Sequence, residues 1–133
     1  MNPDQLLTDF IRREALPEHY REDAKRWFLP LASWLADRIA ESDTPLLLGV
    51  NGAQGTGKST LAGLLTELLS GGGLAVANLS IDDFYLSKAA RQEKAADVHP
   101  LFVSRGVPGT HDTELLLDTI QRLRTAGNGQ AVP

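Results

Sequence analysis

Apolar residues recur at helical spacing in four stretches of the chain and form unbroken runs in two others, and this contrast sets the expected order of elements. Asn2-Pro3-Asp4-Gln5 reads as a helix start, with Asn2 as N-cap, Pro3 at the first helical position and Gln5 at the third. That helix is expected to reach about Glu14, with Leu6, Leu7, Phe10 and Ile11 on one face. After Pro17 a second helix carries Trp27, Phe28, Leu31, Trp34, Leu35 and Ile39, and Pro30 should kink or divide it. The two tryptophans could form a ligand platform. Docking of the helix on the domain body is the reading favoured, because aromatics dominate core burial.

The pattern changes after Ser42-Asp43-Thr44-Pro45. Leu46-Leu47-Leu48-Gly49-Val50 is a short continuous apolar run, as expected of a strand buried on both faces. A glycine-rich segment follows, then a helix with Leu61, Leu64, Leu65, Leu68 and Leu69 on its buried side, ended by Gly71-Gly72-Gly73. Leu74–Ile81 reads as a second buried strand, closing with Asp82-Asp83-Phe84-Tyr85. Strand, glycine loop, helix, strand is one βαβ unit with a right-handed crossover. Leu86–Asp97 is expected to be a polar helix and His99–Gly109 a loop. A last helix should run from near Asp112 to about Arg124, with Leu115, Leu116, Ile120 and Leu123 inward and Thr110 or Asp112 as its cap.

Gly52-Ala53-Gln54-Gly55-Thr56-Gly57-Lys58-Ser59 matches G-x-x-x-x-G-K-[ST] in full. Its glycines allow successive backbone N–H groups to turn inward around phosphate oxygens, and the helix that begins there adds its free amides and dipole. Lys58 can reach the β- and γ-phosphates, the Ser59 hydroxyl can ligate Mg²⁺, and Thr60 continues the nucleotide-contacting run. The alternative is a chance glycine-rich turn, but a buried strand before it and a leucine-striped helix after it supply the context the motif requires. A GTPase switch should add D-x-x-G and N-K-x-D strings, and neither occurs.

Composition narrows the picture further. The chain has 133 residues, enough for one domain with a core, and 42% of them are hydrophobic. A net charge of −4 argues against a broad nucleic-acid surface. The absence of cysteine removes disulfides, thiolate metal sites and cysteine nucleophiles, and fits a reducing cytoplasm. No run approaches the ~18 apolar residues of a membrane span, and Met1-Asn2-Pro3-Asp4 does not open a signal peptide. The expected partner is a small-molecule substrate in the cytoplasm, with no nucleic acid and no membrane.

Asp82 and Asp83 close the second expected strand, at the sheet edge that would also carry the glycine loop. A carboxylate there can take the proton of an attacking hydroxyl or hold Mg²⁺ directly or through water; alternatively, Asp-Asp is a strand terminator or helix cap. With Ser80-Ile81-Asp82-Asp83-Phe84-Tyr85-Leu86 behind such a loop, the chain resembles the uridine kinase, phosphoribulokinase and pantothenate kinase group of P-loop kinases. The resemblance implies that Asp82 is the catalytic base, while Asp83 falls where a uridine kinase has serine. His99-Pro100-Leu101 and Arg105-Gly106-Val107-Pro108-Gly109-Thr110-His111-Asp112 look closer to the plant- and fungal-type D-glycerate 3-kinases and their bacterial relatives.

From spacing alone, Arg105, His111 and Asp112 read as a surface charge, a polar filler and a helix cap. The resemblance, which covers about Leu46 to Arg124, instead implies that they line an acceptor site together with Asp83 and Tyr85. His19 and His99 have no metal-ligand company. The implied fold class is α/β: a P-loop NTPase-type parallel sheet with flanking helices, residues 1–44 being a helical segment on its face and 45–133 the first part of a kinase domain. Members of the group continue into a strand with an acidic residue and a lid with an arginine, so the C-terminal part of the fold is expected to be missing after Gly127–Pro133. The implied reaction is ATP- and Mg²⁺-dependent phosphorylation of a hydroxyl on a small polar metabolite, a glycerate-like acid preferred. A nucleotide-binding module or inactive remnant acting through a partner is the alternative, and a nucleoside or pantothenate-type kinase a second.

Overall fold

A computed structural model describes residues 2–126, which form two units, Met1–Asn78 and Leu79–Pro133. The segment Gly127–Pro133, where a further strand is expected to begin, lies outside the described residues.

In the first unit, α1 spans Pro3–Arg13. It starts where the sequence places it: the Asn2 side chain accepts from the Asp4 N–H at 2.9 Å and Pro3 opens the first turn. The Gln5 side chain turns to Asp9 at 3.1 Å and does not close a capping box. The second helical stretch is in three parts: α2 (Tyr20–Asp23), a π-helical turn (Ala24–Phe28) and α3 (Leu29–Ala40). Pro30 explains the division. It has no N–H to donate and its ring crowds the carbonyl of the preceding turn. The chain takes up the misfit just upstream by widening to i→i−5 bonds, Leu29 N–H donating to the Ala24 carbonyl.

Helix α4 runs Lys58–Gly71 and is the hub of this unit. Leu64 is fully buried in a cluster with Leu6, Leu7 and Phe10 of α1 and with Ala24. One residue on, Leu65 and Leu69 enter a second cluster with Ala32 and Leu35 of α3. An ion pair between Arg13 and Glu67 adds a polar tie between α1 and α4. The N-terminal helices therefore fix the axis of α4, and with it the position of the loop at its start.

The expected parallel sheet does not form. No strand is present among the described residues, and the fold is helical. Leu46–Val50 and Leu74–Ser80 have no regular secondary structure, and neither is hydrogen-bonded into a ladder. The physical reason is that an apolar run makes a strand only when another strand satisfies its amides. Two candidate strands cannot supply that, since a two-stranded pair is marginal and parallel bonds are slanted and weaker. Leu47 is accordingly 65% exposed where full burial is expected. Leu74 and Val76 instead lay alternate side chains on the α3–α4 cluster. The tryptophans are a second correction. Trp27 and Trp34 are more than half exposed, with Arg26 and Arg38 over their rings, and do not dock the helix. Leu31 and Leu35 do that from the neighbouring positions.

The second unit opens with a single 3₁₀ turn, Ile81–Phe84, where the sequence predicts a strand end. It continues with α5 (Lys88–Asp97), a 3₁₀ turn at Pro100–Val103 and α6 (Thr113–Thr125). Asp112 caps α6 by accepting from the Leu115 N–H at 2.9 Å. Leu116, Ile120 and Leu123 are half-buried, whereas Leu115, expected inward, is 50% exposed. No helix among the described residues is long and apolar enough to cross a membrane.

Candidate phosphate loop and acceptor cluster

The eight motif residues lie together in the first unit as an exposed loop running into α4. Gly57 is the N-cap of α4 and sits in the left-handed region, with φ of 83°. An L side chain there is strained, so the motif's last glycine is the residue that lets the loop turn into the helix. Gly57 has no side chain to cap the first turn. The amides of Lys58, Ser59 and Thr60 consequently have no acceptor inside the helix and meet at its positive end.

Lys58 folds back over this loop, its Nζ donating to the Ala53 carbonyl at 2.7 Å. The Thr56 hydroxyl donates to the same oxygen, also at 2.7 Å. That carbonyl is the local dipole least favourable to an anion, and Lys58 is the cation best placed to leave it for one. The Ser59 hydroxyl is exposed and has no hydrogen-bond partner among the described residues. A neutral hard oxygen of this kind suits Mg²⁺, which keeps most of its shell from phosphate and water. No group of three His, Cys, Asp or Glu among the described residues forms a separate metal cage. The donor set therefore fits a magnesium ion that arrives with phosphates. A cavity of about 300 Å³ opens beside the loop, lined by Thr56, Gly57 and Lys58 on one side and by Tyr20 and Phe28 on the other. The sequence pattern marks Phe28 only as part of a helix face and Tyr20 not at all, since nothing in linear spacing connects residues 20 and 28 with residue 58.

The second unit gathers the other predicted residues. Asp83 accepts from the Ser80 N–H at 2.9 Å, and Ser80 Oγ accepts from the Asp82 N–H at 3.2 Å, so this turn is capped in both directions. The Asp82 carboxylate is exposed and has no hydrogen bond among the described residues. Beyond the turn, Tyr85 and His111 form an isolated antiparallel bridge. It is flanked by Asp112 N–H to the Phe84 carbonyl at 2.6 Å and Leu86 N–H to the Thr110 carbonyl at 2.9 Å. The bridge stacks the two rings at 4.2 Å, and the Arg105 guanidinium lies over the outer tyrosine at 5.2 Å. His111 Nε2 is buried without a hydrogen-bond partner. Arg105 has no carboxylate partner among the described residues.

Two cations that the sequence reading does not single out hold this loop. Lys94 Nζ donates to the Gly109 carbonyl at 2.7 Å while resting on Phe102, and Arg91 reaches the Val103 carbonyl at 3.2 Å. Both lie on α5, three residues apart on one helical face, which is the only linear signal they leave. Gly109, at φ of 88°, brings its Cα so near Phe102 that a Cβ would stand 3.0 Å from the ring.

Among curated proteins, the chain is 45% identical over 74 residues to the uncharacterized kinase mug58 of Schizosaccharomyces pombe, covering 54% of the chain and 27% of that protein. It is 32% identical over 108 residues to the chloroplastic D-glycerate 3-kinase of Arabidopsis thaliana, covering 73% of the chain and 24% of the relative. The chain is related to these kinases. A third relative, the probable ATP-dependent kinase TDA10 of Saccharomyces cerevisiae, is 34% identical over 84 residues, 59% of the chain and 29% of its own length. This kinase homologue thus spans about a quarter of the length of the curated relatives it matches. No family model matches it, and no solved structure matches it significantly.

Proposed function

We propose that the chain carries the phosphate-binding loop of an ATP- and Mg²⁺-dependent kinase that phosphorylates a hydroxyl on a small polar metabolite, with a glycerate-like acid preferred. The observation that carries this reading is the loop–helix junction: a left-handed Gly57, three uncapped amides at Lys58–Thr60 and the Lys58 ammonium at one helix start. The named kinase relatives support phosphoryl transfer, and the Arabidopsis protein's name supports an acid as acceptor. On this reading residues Gly52–Thr60 wrap the phosphates and Lys58 exchanges the Ala53 carbonyl for a phosphate oxygen. Ser59 would be the ligand in this unit for a magnesium ion that arrives with the phosphates. The metal supplies neutralisation of charge on the phosphates.

In the reaction the acceptor oxygen bonds to the γ-phosphorus and its proton passes to a base. The bond from that phosphorus to the β–γ bridging oxygen breaks and leaves ADP. Asp82 is the base proposed, because its neighbour Asp83 is committed to the Ser80 amide and Asp82 is not. Arg105, held by Tyr85 and lacking an acidic partner among the described residues, is suited to a carboxylate, with His111 stacked on the tyrosine.

The test is transfer of labelled γ-phosphate from Mg–ATP to a panel of hydroxy acids, sugars and nucleosides. Transfer to a small hydroxy acid that is lost in Asp82→Asn is the expected result. Saturable ATP binding with no transfer to any member would instead support a nucleotide-binding module that works through a partner.

A further inference from the structure

The first glycine of the phosphate loop is preceded by Asn51. Asparagine is a thermolabile residue, and a glycine after it leaves its side-chain carbonyl open to attack by the next main-chain nitrogen. That attack needs an accessible asparagine, an unhindered amide and a backbone that no helix or ladder holds. Asn51-Gly52 meets all three conditions. Both residues are exposed and without regular secondary structure. Neither the Asn51 side chain nor the Gly52 N–H makes a hydrogen bond among the described residues. The loop itself imposes the glycine. A Cβ at position 52 would stand 3.0 Å from the Thr56 hydroxyl oxygen, which is held in place by its bond to the Ala53 carbonyl. The other asparagines among the described residues lack this reactivity: Asn2 precedes Pro3, which has no N–H, and Asn78 precedes the bulkier Leu79.

We propose that Asn51 is a self-modification site whose conversion to aspartate and isoaspartate closes the phosphate loop to nucleotides. The Gly52 nitrogen gives up its proton to water and attacks the Asn51 Cγ. The Cγ–Nδ2 bond breaks and ammonia leaves, closing a five-membered imide. Water then opens the imide at either carbonyl, giving aspartate or, with the main chain rerouted through Cβ, isoaspartate. The sum is amide plus water to carboxylate plus ammonium, and it needs no oxidant. Asn51 lines the same cavity as Thr56, Gly57 and Lys58, so either product sets a carboxylate in the space where the lysine meets phosphates. Isoaspartate also lengthens the main chain directly before the first motif glycine. The inference rests on the phosphate-loop reading, and it makes bound phosphates protective, because a loop whose amides hold phosphate oxygens resists the swing toward the asparagine side chain.

Ageing of the 133-residue chain at mildly alkaline pH, with and without Mg–ATP, followed by peptide mass spectrometry and calorimetry, tests this. The Asn51 peptide should show the small mass gain of amide-to-acid exchange. The fraction of chain that binds Mg–ATP should fall in step, with circular dichroism unchanged. Mg–ATP at about ten times its Kd should slow the conversion roughly tenfold. Asn51→Ser, which cannot close the imide but keeps Asn128-Gly129, should retain binding through the same treatment. Asn51→Asp should bind Mg–ATP roughly tenfold more weakly from the outset. Three results overturn the inference and leave the loop reading standing: Asn51 intact while a synthetic peptide of the same sequence converts, converted protein that binds Mg–ATP undiminished, or conversion that saturating Mg–ATP does not slow. Fresh protein that binds no Mg–ATP overturns both.

Discussion

Asp82 and Asp83 have the same side chain and adjacent positions, yet only one of them is tied into the turn they share. Asp83 closes a reciprocal cap with Ser80. Asp83→Asn should therefore cost about 1 kcal/mol of stability, the usual value of a lost cap. Asp82→Asn should leave the thermal midpoint unchanged and, on the proposed mechanism, lower phosphoryl transfer by about 10²-fold or more. Thermal melts beside a transfer assay distinguish the two. Tyr20 offers a pH test at the same scale. Desolvation raises its pKa above the ordinary tyrosine value, so the unfolded chain loses that proton first as pH rises. Its contribution to stability is complete below about pH 10 and declines above it. Alkaline titration of phenolate absorbance should show a late-ionising tyrosine that disappears in Tyr20→Phe.

At the scale of elements, helix limits were legible and strand formation was not. Asn2 and Asp112 announce helix starts through local hydrogen bonds that need only their own neighbours, and each is found capping. Pro30 announces a disturbance, although its resolution as a π-helical turn depends on how Ala24 packs under α1. Leu46–Val50 and Leu74–Ile81 carry an equally plain apolar signal, but a strand is defined by a distant partner and no local rule provides one. The loop motif was legible because its geometry is local: two glycines, a helix start and a lysine. The Tyr85–His111–Arg105 cluster needed a bridge between segments about 25 residues apart, and its supports on α5 were not visible in advance. Two substitutions check this level. Leu64→Ala, at a fully buried site shared by α1 and α4, should cost about 2–5 kcal/mol in chemical denaturation. Gly109→Ala should disturb the Tyr85–His111 stack, seen as a changed His111 ring shift, because its backbone angle and Phe102 both oppose a methyl group.

For the molecule as a whole, the first of the two apolar runs that form no sheet is left on the surface, Leu46, Leu47 and Leu48 each being 45% exposed or more. Exposed apolar segments with unpaired amides favour association. Leu47→Lys should accordingly change folding stability by less than about 0.5 kcal/mol while reducing self-association in sedimentation velocity. The helical packing that surrounds α4 has a clearer functional consequence, since α1 and α3 hold the helix whose first turn is the phosphate loop. The central claim is that this loop binds a nucleoside triphosphate through Lys58 and the helix-start amides, and titration calorimetry of wild type and Lys58→Ala with Mg–ATP tests it most directly. Saturable binding by the wild type, weakened at least tenfold by the substitution with the fold intact by circular dichroism, is the result predicted; undiminished binding by Lys58→Ala, or none by the wild type, would contradict it.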